Sequence, residues 1–159
     1  MREHERSQGK ILLSFTTVIV TVLLDRILKI YFVKNLAFGE SVPIVQDVFH
    51  FTLIHNTGIA FGLFKNQGIV FIIIPIIAIL VIAYHIFTSH QDDNAGYLYI
   101  FAFSLILAGA LGNLIDRIAY GYVIDFIDFR IWPVFNLADT AITIGAIFIL
   151  IKCIPSFVK

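Results

Sequence analysis

The segment GIVFIIIPIIAILVIAYHIF, Gly68 to Phe87, carries no formal charge from end to end. A helix of this length rises far enough to cross the hydrocarbon core of a bilayer, which takes about 17–25 mostly apolar residues. Working outward, Ala95–Ile115 (AGYLYIFAFSLILAGALGNLI) is also uncharged and meets the same requirement. Ile11–Leu24 is uncharged and then runs into DRILKIYFV, while Leu137–Ile151 is apolar apart from Asp139. These two outer blocks reach spanning length by taking in a charged end. The chain is 59% hydrophobic and 14% charged, with a mean hydropathy of +0.93, so most of its surface is built for lipid. The expectation is one integral-membrane domain over 1–159, with spans near 11–33, 68–87, 95–115 and 136–154.

The first block is preceded by Arg2, Arg6 and Lys10, as the apolar core of a signal peptide would be. No small-residue cleavage site follows; Asp25-Arg26 comes instead, so the block reads as a retained helix. Four spans put both termini on one side. Basic residues do not orient the protein, because Arg2, Arg6, Lys10, Lys152 and Lys159 near the termini are balanced by Lys34, Lys65 and Arg130 opposite.

Net charge is zero and no basic patch is present, so a nucleic-acid partner is not expected. The lone Cys153 allows no internal disulfide, has no histidine nearby in sequence, and reads as a packing residue. The histidines are scattered without ligand spacing, and neither HExxH, a G-x-S-x-G serine nor a glycine-rich phosphate loop occurs. No metal and no cofactor is expected.

The two long connections, Asn35–Gln67 and Asp116–Phe135, fall on the face away from the termini. In the first, Val48–Ile54 alternates His50 and Thr52 with Phe49, Phe51 and Leu53, the pattern of a half-buried strand. NTGIAFG (Asn56–Gly62) follows as a turn in which Gly58 and Gly62 are free to take positive φ. In the second, YVIDFIDF is a possible further strand. The fold class is therefore an all-α membrane protein, four transmembrane helices carrying a small β-containing platform on one face.

The polar residues gather near that face. Asp25 and Lys29 stand one helical turn apart and can pair as a structural unit. Asn113 and Arg117 have the same spacing at the end of the third block, where an arginine also serves as an interfacial anchor. Gly109 and Gly112 make a small-residue edge suited to close helix packing. Asn136 and Asp139 open the fourth block, a sound capping arrangement in its own right. Asp125 and Asp128, if extended, point to opposite faces, so at most one looks into the bundle. Two carboxylates held together do not both ionise, and such a pair can activate water and donate a proton. On chemistry alone, an aspartyl hydrolase and a proton- or cation-coupled transporter both stand. A transporter more often carries its carboxylates near midplane. A non-catalytic assembly protein would need only the capping and anchoring roles.

DRILK (Asp25–Lys29), NTGIAFG (Asn56–Gly62), GALGNLIDR (Gly109–Arg117), VIDFID (Val123–Asp128) and FNLAD (Phe135–Asp139) occur in an order and spacing that resembles the bacterial lipoprotein signal peptidases, signal peptidase II. The likeness runs over nearly the whole chain. It implies an intramembrane aspartyl endopeptidase that cleaves the signal peptide from diacylglyceryl-modified prolipoproteins, ahead of the lipidated cysteine. It also implies a monomer among membrane lipids in the bacterial cytoplasmic membrane, with both termini cytoplasmic and the β platform extracytoplasmic. By position, Asp125 and Asp139 resemble the catalytic pair. Asn113, Arg117 and Asn136 match polar positions beside it. Asp25, Lys29, Asn56, Gly58 and Gly109 match positions that support the site or contact substrate. Asp116 also matches and is expected to be structural, and Asp128 fits the motif without belonging to the pair.

Overall fold

A computed structural model describes residues 2–58, 69–92 and 95–153. Four helices and a small sheet make up the described chain. Helix α1 covers Arg2–Asn35, strands β1 and β2 cover Ser41–Val45 and Phe49–Asn56, and helix α2 covers Val70–Ser89. Helix α3 covers Tyr97–Tyr120, strand β3 Val123–Asp128 and helix α4 Leu137–Cys153. Three of the helices are long and apolar enough to cross a membrane: His4–Asn35 within α1, then α2 and α3. The described part of α4 is 17 residues. Gly62, Lys65 and the side chain of Cys153, each given a part above, lie outside what is described.

The apolar blocks form helices that turn much of their surface outward. In α2 only Ile86 and Ser89 are buried, while Ile73, Ile74, Ile77, Leu80 and Val81 are exposed. A face this apolar is unstable against water and at home against acyl chains. Helix α3 is the hub, packing on α1, α2 and α4. Its approach to α4 depends on missing side chains. A Cβ on Gly109 would collide with the carbonyl oxygen of Ala138, and one on Gly145 would lie 2.5 Å from that of Ala102. Small residues therefore bring the two backbones together, as the Gly109–Gly112 edge predicts.

The strand predicted at Val48–Ile54 is present, shifted to Phe49–Asn56, and VIDFID forms the second. Strand β1 has no alternating pattern and is exposed along its length; it is held by pairing with β2, Ser41 opposite Thr52 and Val42 opposite Phe51. The sheet is antiparallel in the order β1-β2-β3. It sits on the end of α1 through a core of Phe32, Leu53, Ile124 and Phe126, with the Phe32 and Phe126 rings stacked at 4.3 Å. Such a ring pair adds about 0.5–1.5 kcal/mol beyond the area it buries.

Two backbone devices place the polar residues. Gly121, at φ 79°, ends α3 in the left-handed conformation and donates its N–H to Arg117 O, so the chain passes from helix to β3 within two residues. Beyond β3 the chain folds back on itself. Phe135 N–H donates to Ile127 O, and Phe135 O accepts from Phe126 and Ile127, which sets the start of α4 beside β3.

Candidate active site

The foundation is a closed set of four charges at the ends of α1 and α3. Lys29 Nζ lies 2.9 Å from Asp25 Oδ2 and 2.7 Å from Asp116 Oδ2. Arg26 reaches the same two carboxylates, at 3.1 Å to Asp25 and 2.6 Å to Asp116. The Asp25–Lys29 pair expected from spacing is thus half of a neutral quartet; Asp116 and Arg26, given no part in the pair above, complete it. Asp116 comes from another helix, which no spacing within α1 reveals. Asp25, Lys29 and Asp116 are each at most 1% exposed, so every charge depends on the others.

The quartet anchors two neighbouring elements. Asp116 Oδ2 accepts from the Ile124 N–H of β3 at 3.1 Å. Asp25 Oδ1 accepts from the Ala138 N–H in the first turn of α4, also at 3.1 Å. Gly112 makes room for this, since a Cβ there would stand 2.9 Å from Asp25 Oδ2. Lys29 spends its remaining proton on Asn113 Oδ1 at 3.2 Å. An ammonium cannot accept, so Asn113 is held with its oxygen toward Lys29 and its nitrogen toward α4.

That orientation builds a bridge of amides between two carboxylates. Asn113 Nδ2 donates to Asp139 Oδ1 at 2.7 Å. Asn136 Nδ2 donates to Asp125 Oδ1 at 2.7 Å and to Asn113 Oδ1 at 3.0 Å. Asn56 Nδ2 donates to the other oxygen of Asp125 at 2.8 Å, while its own Oδ1 accepts from the Gly58 N–H at 2.9 Å. Gly58 takes φ 90° to make that turn, a conformation open to glycine. Asn136 and Asp139 also cap α4 reciprocally: the Asp139 N–H donates to Asn136 Oδ1 at 2.9 Å and the Asn136 N–H to Asp139 Oδ2 at 3.3 Å. Capping and carboxylate pairing are therefore the work of the same two side chains.

Asp125 is 1% exposed. Burial and the nearby charge of Asp139 push its carboxyl up to about 7, against the opposing hydrogen bonds from Asn56 and Asn136 and the charge of Lys29. A carboxyl near 7 exchanges its proton at physiological pH, as a general acid or base must. Asp139 is half-buried and opens into an apolar cleft of about 490 Å³ walled by Phe129, Trp132, Phe135 and Thr143. A second apolar cavity of about 420 Å³, walled also by Phe32, Phe51 and Phe126, shares Phe129, Phe135 and Thr140 with it.

The remaining candidates lie around this centre. Arg117 Nη1 donates to its own helix at Asn113 O (3.3 Å), and its charge is felt by Asp139, Asp125 and Asp116. Gly109 touches α4, at Ala138 and Ile142. Asp128 belongs to a separate chain of bonds, accepting from Thr52 Oγ1 at 2.7 Å and pairing with Arg130 at 3.0 Å. Burial pushes its carboxyl up, but these bonds outweigh it and hold the group below the usual range. The aromatic cleft wall, Phe129, Trp132 and Phe135, was not anticipated; its only trace in the sequence is the aromatic density of FRIWPVF.

A family model described as Signal peptidase (SPase) II matches residues 17–155. Over 132 residues the chain is 42% identical to the lipoprotein signal peptidase of Halothermothrix orenii, spanning 83% of this chain and 88% of that one. Over 139 residues it is 37% identical to that of Clostridium tetani, spanning 84% and 87%. A solved bacterial membrane enzyme superposes with a TM-score of 0.79 at 32% identity, covering 91% of this chain and 89% of its own. None of these likenesses supports the ion-coupled transporter that the carboxylates alone left open. With two carboxylates joined by amides at an apolar cleft and a family match over most of its length, the chain belongs to the signal peptidase II family and is a peptidase.

Proposed function

We propose that this enzyme removes the signal peptide from diacylglyceryl-modified prolipoproteins, cleaving before the lipidated cysteine with Asp125 and Asp139 as its acid–base pair. The observation that carries the reading is the bridge Asp125–Asn136–Asn113–Asp139, which joins carboxylates from β3 and α4 at the mouth of an apolar cleft. Asp125, the more buried, holds the shared proton; Asp139, facing the cleft, is ionised. Asp139 takes a proton from water as the water oxygen bonds to the scissile carbonyl carbon. Asp125 donates to the developing oxyanion. As the C–N bond breaks, a proton passes to the leaving amine, and the pair again shares one proton. Asn56, Asn113 and Asn136 orient the carboxylates, and no metal or organic cofactor takes part.

The bilayer placement follows from the same reading. Helices α1 to α4 all span, and both termini are cytoplasmic. The sheet and the dyad lie at the outer face of the bacterial cytoplasmic membrane. Ile131 is 94% exposed and Trp132 68%, an apolar projection suited to the lipid headgroup region. The enzyme works as a monomer, its cleft open to the bilayer so that the substrate's acyl chains never enter water. The sheet and the turn at Asn56–Gly58, which touches Asp125, lie over the peptide.

Substrate lipid is expected to be required, because an apolar cleft alone has little with which to tell one signal helix from another. Matched precursors with and without diacylglyceryl on the cysteine, cleaved by the purified enzyme, test the reading; equal rates reject it. A chelator is expected to leave the lipidated reaction unchanged.

The pH dependence has a defined sign. Asp125 has a folded value raised to about 7, so the pair loses its shared proton, and activity falls, as pH rises through that value. Whatever stability the protonated group contributes is complete below its ordinary value of 3.8 and is lost over the same rise. Asn56 favours the ionised form, so Asn56→Ala is expected to move the alkaline limb of the cleavage profile upward as well as to slow turnover. A limb that stays in place removes Asp125 from the titration that controls the rate.

A further inference from the structure

A groove runs along α1 where it packs on α3. Its deep part is an apolar hollow of about 250 Å³ lined by Val18, Val22, Leu23, Leu111 and Ile115. Its outer part is a cavity of about 150 Å³ lined by Arg26, Ile30, Lys34, Tyr120 and Tyr122. Val18, Val22, Arg26, Ile30 and Lys34 follow one another at four-residue intervals on α1, so the two hollows share one helix face. Val22 to Arg26 is a step of only about 6 Å along the axis.

The outer cavity is short of anions. No acidic side chain lines it. The quartet beside it is neutral, which leaves Lys34 as an added positive charge with no ion-pair partner among the described residues. Arg26 uses Nη1 and Nη2 on Asp116 and Asp25, and its side chain stays 20% exposed. A polar pocket wanting anionic oxygens, set directly above an apolar hollow at acyl-chain depth, has the two-part chemistry of a phospholipid.

We propose that this groove binds an anionic glycerophospholipid, its phosphate among Arg26, Lys34 and the Tyr120 and Tyr122 hydroxyls and an acyl chain along Val22 and Ile115. The site rests on the bilayer placement given above and not on the assignment of the catalytic pair. A phosphate against the exposed part of Arg26 steadies the guanidinium that holds Asp25 and Asp116, and through them α4 and β3. The lipid is therefore a positioning ligand for the active site, bound outside it.

The test uses the full chain in a neutral detergent after lipid has been washed away. Phosphatidylglycerol, phosphatidylcholine or inorganic phosphate is titrated in; melting temperature and, by native mass spectrometry, retained lipid are read. The anionic lipid is expected to raise the melting temperature and stay bound one to one, with neither the zwitterionic lipid nor phosphate doing so. Lys34 is exposed, so Lys34→Gln should fold normally, and it is expected to need roughly tenfold more anionic lipid for the same shift. Lys34→Arg is expected to restore the response. Equal responses to the two lipids, an unchanged Lys34→Gln, or a shift reproduced by inorganic phosphate would each overturn the proposal. Because cleavage is not the readout, a failure here is distinct from a failure of the catalytic assignment.

Discussion

Asp125→Asn and Asp139→Asn are each expected to abolish measurable cleavage, a loss of about 10²–10⁴-fold or more in turnover. The amide replaces a group that must both hold and release a proton. It changes almost nothing in volume, and the neighbouring asparagines can re-pair with it. The fold should therefore survive, because the Asn136 amide has Asn113 Oδ1 and Ile124 O as further acceptors. Asp128→Asn is the internal control. Asp128 is occupied by Thr52 and Arg130, belongs to a different bond chain from the amide bridge, and is held ionised, so it has no proton to exchange near neutral pH. That variant is expected to keep substantial activity. Turnover of a lipidated precursor by the three purified proteins decides the matter. Near-normal rates in either dyad variant reject the assignment, and a dead Asp128→Asn transfers the role.

The second large effect is on stability. Asp25→Ala removes one of two anions from a buried set of four charges, leaving Lys29 with a single carboxylate and the Ala138 N–H without its acceptor. Breaking a buried ion pair by deleting one partner costs about 3–5 kcal/mol, because the stranded charge is left desolvated. Asp25→Ala is expected to melt well below wild type in detergent and to lose activity with the fold. Asp139→Asn is expected to lose activity with little change in melting, or a small gain, since it takes one carboxylate out of a strained pair. Melting and cleavage measured together on both proteins separate the roles. Wild-type melting of an inactive Asp25→Ala would make Asp25 part of the reaction or of substrate binding.

Membrane residence was legible in the sequence because it depends on local composition. Uncharged runs such as Gly68–Phe87 leave a helix no favourable surroundings except lipid, whatever their neighbours do. The strands Phe49–Asn56 and Val123–Asp128 were legible for a related reason, since a period of two is written within a few residues. So were the Asp25–Lys29 pair and the Asn136 cap, because spacings of four and three residues on a helix are contacts by geometry.

What joins Asp125 to Asp139 was not legible from spacing. They belong to different elements and meet only because Gly121 turns the chain sharply out of α3 and Phe135 pairs back onto Ile127. Strand β1 exists because β2 offers it an edge, and Arg26 completes the quartet because Asp116 arrives from α3. The raised proton affinity of Asp125 is likewise a tertiary property. The same residue type in the same motif, Asp128, is driven the opposite way by Thr52 and Arg130. Periodicity and composition are sums over neighbours in sequence, so the chain alone determined where it meets lipid and which segments are regular. Burial, amide orientation and the balance of charges depend on groups dozens of residues apart, and only the folded bundle decided which aspartate would hold a proton.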